Sequence, residues 1–151
     1  MDTTKAVKKL NEILSHEWTG FAQYCQQAFV VQGVWREVYS TMFQESADEC
    51  VTHARLVGDK IVALGGVPTI ERNKVHQTDN LEEMLKNSHQ FEKDAVAHYA
   101  KALEICADDR PLVVLLEDLI LEEQAGVDEI GKLLGQQAGE AAKGASQEKA
   151  G

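Results

Sequence analysis

Apolar residues recur at intervals of three and four along four long segments of the chain, and no segment shows the alternation typical of a β-strand. This spacing predicts four amphipathic helices, which cover about residues 4–31, 35–64, 79–107 and 111–134. Gly33 and the stretch 65–68 are typical of helix ends, and Pro111 is typical of an early helical position. The sequence therefore predicts an all-α fold.

Each predicted helix has an apolar stripe, and these stripes form the candidate core. In the second helix we assign the stripe to Val38, Met42, Glu49, His53, Leu56 and Leu64. Every stripe contains an acidic residue, and the four residues are Glu17, Glu49, Glu92 and Glu123. An ionised carboxylate is costly to bury unless it is paired or bound to a metal, so these four positions need a common explanation.

The connections between the helices predict the topology. About three residues join the first two helices and the last two, so each pair should form an antiparallel hairpin. A helix of about 28 residues is about 42 Å long. The 14 residues between the hairpins can extend to roughly 46–50 Å, just enough to return along such a helix. We therefore expect a four-helix bundle with one long crossover between helices 2 and 3.

Composition restricts the domain organisation and the classes of partner. With 44% hydrophobic residues, the chain can form one core, which we assign to residues 1–135. Residues 136–151 are rich in glycine and alanine and are predicted to form a flexible tail. The net charge of −10 disfavours binding to nucleic acid. No apolar stretch is long enough to span a bilayer, so we expect no membrane partner.

The cysteines and the N-terminal residues bear on the cellular compartment. Cys25, Cys50 and Cys106 are odd in number and widely spaced, which is not the pattern of a disulfide framework. The first residues do not include the apolar region of a signal peptide. We therefore expect a cytoplasmic protein with reduced cysteines.

The four glutamates and one histidine predict a metal centre inside the bundle. His53 lies one helical turn beyond Glu49, so both can point to the same face. Oxygen-rich ligands with a single imidazole suit iron or manganese better than they suit a metal that prefers sulfur. A pair of divalent cations would neutralise about four carboxylates.

The chain resembles the ferritin-like superfamily, especially bacterioferritins and Dps-like ferritins, over roughly residues 4–134. The residues that carry this resemblance are 10–12, Glu17 and 23–24 in the first helix, 45–49 and 53–54 in the second, 63–68 at the turn, 82–85 and Glu92 in the third, and 121–123 and 127–130 in the fourth. The resemblance implies a ferroxidase or iron-storage and detoxification protein that oxidises Fe(II) with O₂ or H₂O₂ at a di-iron centre within each subunit.

The resemblance also implies the ligands. Glu17 and Glu92 would be terminal ligands, Glu49 would bridge the two irons, and His53 would supply the nitrogen. Either Glu122 or Glu123 would be the carboxylate from helix 4, and the choice between them stays open. Manganese or zinc are alternatives to iron.

Two departures from the bacterioferritin pattern, Glu-x-x-His on helices 2 and 4, affect this centre. Glu49 and His53 are one residue farther apart than the pattern requires, and alignment on His53 would place Cys50 at the bridging position. Helix 4 has no histidine, although Gln124 could replace it as in other ferritins. The second iron would then be held more weakly.

The haem-binding methionine of bacterioferritins has no counterpart, so no haem is expected. The short fifth helix of 24-subunit ferritins also has no counterpart. We therefore expect a homo-oligomer between a dimer and a 12-subunit shell.

Two further functions remain open. One is a ferritin-like scaffold whose centre is degenerate and binds metal weakly or not at all. The other is a different di-iron oxidase or peroxidase on the same bundle, although the chain has only three cysteines and so cannot form the Cys₄ iron site of a complete rubrerythrin.

Overall fold

In the computed structural model, the chain forms four long helices and no strand within residues 1–150. The structure describes the backbone of residues 1–150 and the side chains of residues 1–135. The helices are α1 (Thr3–Val30), α2 (Arg36–Ala63), α3 (Leu81–Ile105) and α4 (Arg110–Ala150). Asp2 caps α1 by accepting a hydrogen bond from the backbone N–H of Lys5, and Asn80 caps α3 in the same way. The all-α prediction is confirmed.

The helices pack as two hairpins, α1 with α2 and α3 with α4, and α1 also packs against α3. The segment between α2 and α3 is the predicted crossover, and it lies along α1. Asn11 Oδ1 accepts a hydrogen bond of 2.8 Å from the Thr69 N–H, and Trp18 Nε1 donates one of 3.1 Å to the Thr69 carbonyl. Thr19 Oγ1 accepts one of 2.8 Å from the Asn73 N–H. Polar side chains of α1 thus fix the path of the crossover.

The apolar core consists of two clusters, one toward each end of the bundle. The first includes Leu10, Ile61, Tyr99 and Leu116. The second includes Tyr24, Phe43, Met84, Phe91 and Ile130. Between these clusters lies a layer of buried polar side chains: Glu17, His53, Glu92 and Glu123. The bundle is therefore dry at both ends and polar in the middle.

The predicted stripe of α2 was wrong by about one position. Its buried apolar residues are Phe43, Ala47, Cys50, Ala54, Val57 and Ile61. Val38 and Leu56 are exposed. The buried stripe does have heptad spacing, but several of its residues are small. The neighbouring register, which contains Glu49 and His53, was therefore predicted instead. Phe21 of α1 and Leu133 of α4 are also partly exposed.

Gly20 lets three helices approach closely. A Cβ atom at this position would lie 2.3 Å from Phe91 Cζ and 2.7 Å from Cys50 Sγ. We expect Gly20→Ala to lower the free energy of unfolding by about 1–3 kcal/mol, because overpacking forces neighbouring side chains to move. Urea unfolding would measure the change. Gly58→Ala is the matched control, because a Cβ atom at that position meets no neighbour and alanine favours the helix. Equal effects of the two variants on the free energy of unfolding would contradict the close approach of the helices at Gly20.

Within the described part of the chain, no helix is both long enough and apolar enough to cross a membrane. The predicted flexible tail, residues 136–151, lies outside the residues whose side chains are described, and it stays a prediction.

Candidate metal centre

Each of the four helices contributes one buried ionisable side chain to the polar layer. Glu17 comes from α1, His53 from α2, Glu92 from α3 and Glu123 from α4, and all four side chains are almost completely buried. The heptad spacing of α1, α3 and α4 directs these glutamates inward in line with the core leucines and tyrosines. Of the residues predicted to converge, Glu17, His53 and Glu92 lie in this layer with a helix 4 carboxylate, whereas the predicted bridging residue Glu49 is about half exposed and lies outside it.

His53 is at the centre of this arrangement. Its Nδ1 lies 2.7 Å from Glu123 Oε1 and 3.7 Å from Glu17 Oε1. Its Nε2 lies 2.7 Å from Glu122 Oε2 and 4.0 Å from Glu49 Oε1. Both ring nitrogens therefore contact carboxylates, and two groups of potential metal ligands share this imidazole. We name Glu17, His53 and Glu123 the inner group, and Glu49, His53 and Glu122 the outer group.

Two buried tyrosines hold the carboxylates from opposite sides. Tyr99 donates a hydrogen bond of 2.7 Å to Glu17 Oε1, and Tyr24 donates one to Glu92 Oε1. Burial, with the adjacent carboxylates, raises the pKa of both hydroxyls well above 10, so they stay protonated donors. These hydrogen bonds restrict the rotation of the two glutamates.

Glu17 Oε2 is buried and has no hydrogen-bond partner. Such an atom carries a high desolvation cost, because it has lost its hydration without gaining a hydrogen bond. A cation between Glu17, Glu123 and His53 Nδ1 would satisfy it. Carboxylate oxygens and one imidazole nitrogen also match the ligand preferences of iron and manganese, so the residues present fit a metal ion.

A cleft of about 190 Å³ leads from the surface between α2 and α4 to this centre. Glu49 and Glu122 line its outer part, and their side chains are 47% and 56% exposed. His53, Glu92 and Glu123 line its inner part. The structure thus places Glu123 inside the bundle and Glu122 at its edge.

The centre departs from the Glu-x-x-His pattern at two positions. Cys50, three residues before His53, is buried and lines the cleft. Gly126 lies three residues after Glu123. A Cβ atom at this position would lie 3.1 Å from the Glu92 carboxylate, so any larger residue would force Glu92 to move. Glu92 therefore occupies the space next to α4 where a second histidine would begin. Gln124 is exposed and donates a hydrogen bond to Asp128.

Protons neutralise part of the negative charge in the metal-free centre. Burial alone would lower the pKa of His53, but the carboxylates of Glu123 and Glu17 raise it to about 11. Burial raises the pKa of Glu92 to about 9, with a further contribution from Glu123. Burial also raises the pKa values of Glu123 and Glu49. A metal ion that binds here must displace protons.

We expect the free energy of unfolding of the metal-free protein to fall between pH 7 and 9. The unfolded chain has already lost these protons, since the ordinary pKa values of His53 and Glu92 are 6.5 and 4.5. In the folded protein, His53 keeps its proton until about pH 11 and Glu92 until about pH 9. A group whose pKa is raised by folding contributes its full stabilisation at pH values below its pKa in the unfolded chain. Above that pKa, its contribution to the free energy of unfolding falls by roughly 1 kcal/mol for each pH unit.

Urea unfolding in the presence of a chelator at pH 7, 8 and 9 would measure this change. The lowered pKa values of His16, His89 and His98 have little effect, because these groups are mostly neutral in both states from pH 7 upward. The cysteine thiols, whose ordinary pKa is 9.0, contribute only near the upper end of the window. A stability that stays constant or rises across this window would contradict the assigned protonation states.

The other histidines of the described residues lie outside the two ligand groups. His76 is exposed. His16 is buried, because its ring stacks on Phe91 and its Nε2 contacts the Phe91 carbonyl oxygen at 3.0 Å. His89 lies against Gly131 and belongs to neither ligand group. The close contact of Gly126 with Glu92 was not foreseen, and no pattern in the sequence indicates it.

Comparisons with known proteins agree with this geometry. The model of the ferritin-like domain family matches residues 7–138. A solved structure described as a ferritin-like di-iron-carboxylate protein from Bacillus anthracis is 32% identical, covers 89% of this chain and 98% of its own, and superimposes with a TM-score of 0.86.

A dodecameric thioferritin, the bacterioferritin-related protein of Bacteroides fragilis, is 23% identical and shares the fold with a TM-score of 0.84. The alignment covers 95% of this chain and 92% of that one. Among curated proteins no significant match was found. From the bundle topology, the carboxylate and histidine centre and the family match, we conclude that this chain belongs to the ferritin-like domain family.

Proposed function

We propose that this protein is a ferroxidase that binds Fe(II) in the middle of the bundle and oxidises it to Fe(III), with O₂ or H₂O₂ accepting the electrons. The observation that carries the proposal is that the buried carboxylates of Glu17 and Glu123 converge on His53 Nδ1, while Glu17 Oε2 has no hydrogen-bond partner. Apolar residues would stabilise the bundle better than buried carboxylates from three helices around one imidazole. Stability alone therefore does not account for these carboxylates.

The side chains of the centre divide into two roles. Glu17, Glu123 and His53 Nδ1 provide the ligands for one iron, and Tyr99 holds the Glu17 carboxylate in place. Glu92, held by Tyr24, lies next to Glu123 and would hold a second iron with carboxylates alone. Because this second position lacks an imidazole, we expect it to bind iron more weakly than the first.

The proposal predicts rapid oxidation of Fe(II) by the wild-type protein and a large loss in the Glu92→Gln variant. The amide keeps the shape and the Tyr24 contact but removes the charge that the second iron needs, so we expect a rate loss of at least about tenfold. Absorbance of Fe(III) after mixing anaerobic Fe(II)-loaded protein with O₂, or separately with H₂O₂, measures it. Glu82→Gln, on the exposed face of α3, is the matched control.

Equal rates for Glu92→Gln, Glu82→Gln and wild type would show that oxidation does not occur at this centre. The same assay separates the two oxidants. A strong preference for H₂O₂ over O₂ would favour a detoxification or peroxidase role over iron storage.

The positions of Cys50 and Gly126 favour a second candidate, a ferritin-like scaffold with a degenerate centre. Neither residue supplies the carboxylate or imidazole that the Glu-x-x-His pattern has at that position. Metal analysis after reconstitution with Fe(II) distinguishes the candidates. Less than one iron per chain would support the scaffold, and one or more would support the ferroxidase.

We further propose that the protein acts as a homo-oligomer in the cytoplasm. The Bacteroides fragilis protein of the same fold is described as dodecameric. Sedimentation analysis would show whether this chain forms a dimer, a 12-subunit shell or another assembly. The odd number and wide spacing of Cys25, Cys50 and Cys106 support a reducing compartment.

A further inference from the structure

The surroundings of His53 are similar on the two sides of the imidazole ring. Each ring nitrogen has one carboxylate at 2.7 Å and a second at 3.7 or 4.0 Å. On the Nδ1 side both carboxylates are buried, whereas on the Nε2 side both are about half exposed. One buried histidine therefore lies between a buried pair of carboxylates and a half-exposed pair.

We propose that the outer group is a receiving site for the cation, and that His53 serves the outer and the inner position in turn. The cation first binds Glu49, Glu122 and His53 Nε2, and then moves to Glu17, Glu123 and His53 Nδ1. This inference rests on the proposed function, because it assumes that the inner group holds the metal. It adds a second cation position outside the buried centre and a route between the two.

The chemistry of imidazole makes the two positions alternatives. A neutral ring has one nitrogen with a free lone pair and one that carries hydrogen. When Nδ1 binds the inner cation, the Nε2–H donates to Glu122; when Nε2 binds the outer cation, the Nδ1–H donates to Glu123. Metal-bound histidines commonly donate their other N–H to a carboxylate in this way, and here both arrangements are available.

The geometry also separates the outer position from an ordinary two-metal centre. Paired catalytic metals lie roughly 3.5–4 Å apart and share carboxylates. The inner and outer groups share only the imidazole, and they bind on opposite nitrogens of its ring. A cation in the outer group would therefore lie beyond the distance of a bridged pair.

The cleft gives a direction to the transfer. Glu49, Glu122 and Glu129 line the cleft toward solvent, and Glu92 and Glu123 line it toward the bundle interior. A cation from solvent meets the outer carboxylates first, and negative groups that line a cleft raise the local concentration of cations. The inner group is more completely buried, so its carboxylates gain more from a bound cation.

A structural experiment tests the two positions with Zn(II), which does not change its oxidation state. Crystals of the wild type and of Glu123→Gln are soaked in Zn(II), and zinc is located by anomalous scattering. We expect zinc on Nδ1 in the wild type, and zinc on Nε2 between Glu49 and Glu122 in Glu123→Gln. Zinc on both nitrogens of one wild-type His53, or no zinc on Nε2 in Glu123→Gln, would overturn the proposal.

A kinetic experiment tests the receiving role with Co(II), whose visible absorption reports binding. We expect the double variant Glu49→Gln/Glu122→Gln to load Co(II) at least about tenfold more slowly than wild type. The control, Glu82→Gln/Glu104→Gln, removes two exposed charges from α3 and should load at the wild-type rate. An unchanged rate in the first double variant, or equal rates in both, would overturn the receiving role.

These outcomes differ from those that would refute the proposed function. If wild type binds no Zn(II) or Co(II) in the bundle, the metal centre itself fails. If wild type binds metal on Nδ1 and oxidises Fe(II), but the double variant loads at the wild-type rate, only the receiving site fails.

Discussion

Replacing Glu17 with glutamine should reduce the affinity of the protein for Fe(II) or Co(II) by at least about 100-fold, since even a partner that only orients a ligand contributes roughly 10–100-fold. The amide can still accept the Tyr99 hydrogen bond at Oε1, so the side chain keeps its place. It loses the charge at the position of the buried, unpartnered Oε2. Iron oxidation should fall with it. Isothermal titration with Co(II) measures the affinity.

The control for this experiment is Glu12→Gln on the same helix. Glu12 is exposed and pairs with Lys9 at 2.9 Å, so its substitution should leave metal affinity unchanged. We expect Glu17→Gln to remain folded without metal, because the amide has nearly the shape of the carboxylate and can still accept the Tyr99 hydrogen bond. A metal affinity close to that of Glu12→Gln would refute the assignment of Glu17 as a ligand.

Replacing His53 with leucine should destabilise the metal-free protein strongly at pH 8. No other cationic side chain in the described residues pairs with Glu17 or Glu123, so the variant leaves buried carboxylates without a counter-charge. Removal of one partner from such a pair typically costs about 3–5 kcal/mol. At pH 5 the loss should be smaller, because carboxylates with raised pKa values can take up protons.

Urea unfolding at both pH values checks this expectation, with His76→Leu on the exposed part of the crossover as the control. Added Zn(II) provides a second measurement. A ligand that binds only the folded state raises the unfolding free energy, so zinc should stabilise wild type and His76→Leu but not His53→Leu. Equal stabilisation of all three proteins would show that zinc binds elsewhere.

The sequence was sufficient for the architecture and for most of the inner centre. Long helices with clear heptad spacing and one long connection permit few arrangements, so the bundle could be predicted. Glu17, Glu92 and Glu123 could be placed inside because each lies in register with strongly apolar neighbours, such as Leu119 before Glu123. The choice between Glu122 and Glu123 as the ligand from helix 4 stayed open in the sequence, and the structure places Glu123 inside the bundle.

The remaining features depend on packing between helices, which periodicity does not report. In α2 the buried residues at positions 47, 50 and 54 are small, so the sequence did not reveal that Cys50 faces inward and Glu49 lies at the edge. The burial of His16 follows from a stacking partner on α3. The carboxylates on both sides of His53 come from helices 70 or so residues away, and only the folded chain shows their distances.

The most direct test of the metal centre is a crystal structure after anaerobic loading with Fe(II), with anomalous differences recorded on both sides of the iron absorption edge. We predict an iron peak in the middle of each bundle, within bonding distance of Glu17, Glu123 and His53 Nδ1. A bundle interior without iron, with iron bound only to exposed acidic residues, would contradict the assignment of this protein as a ferroxidase.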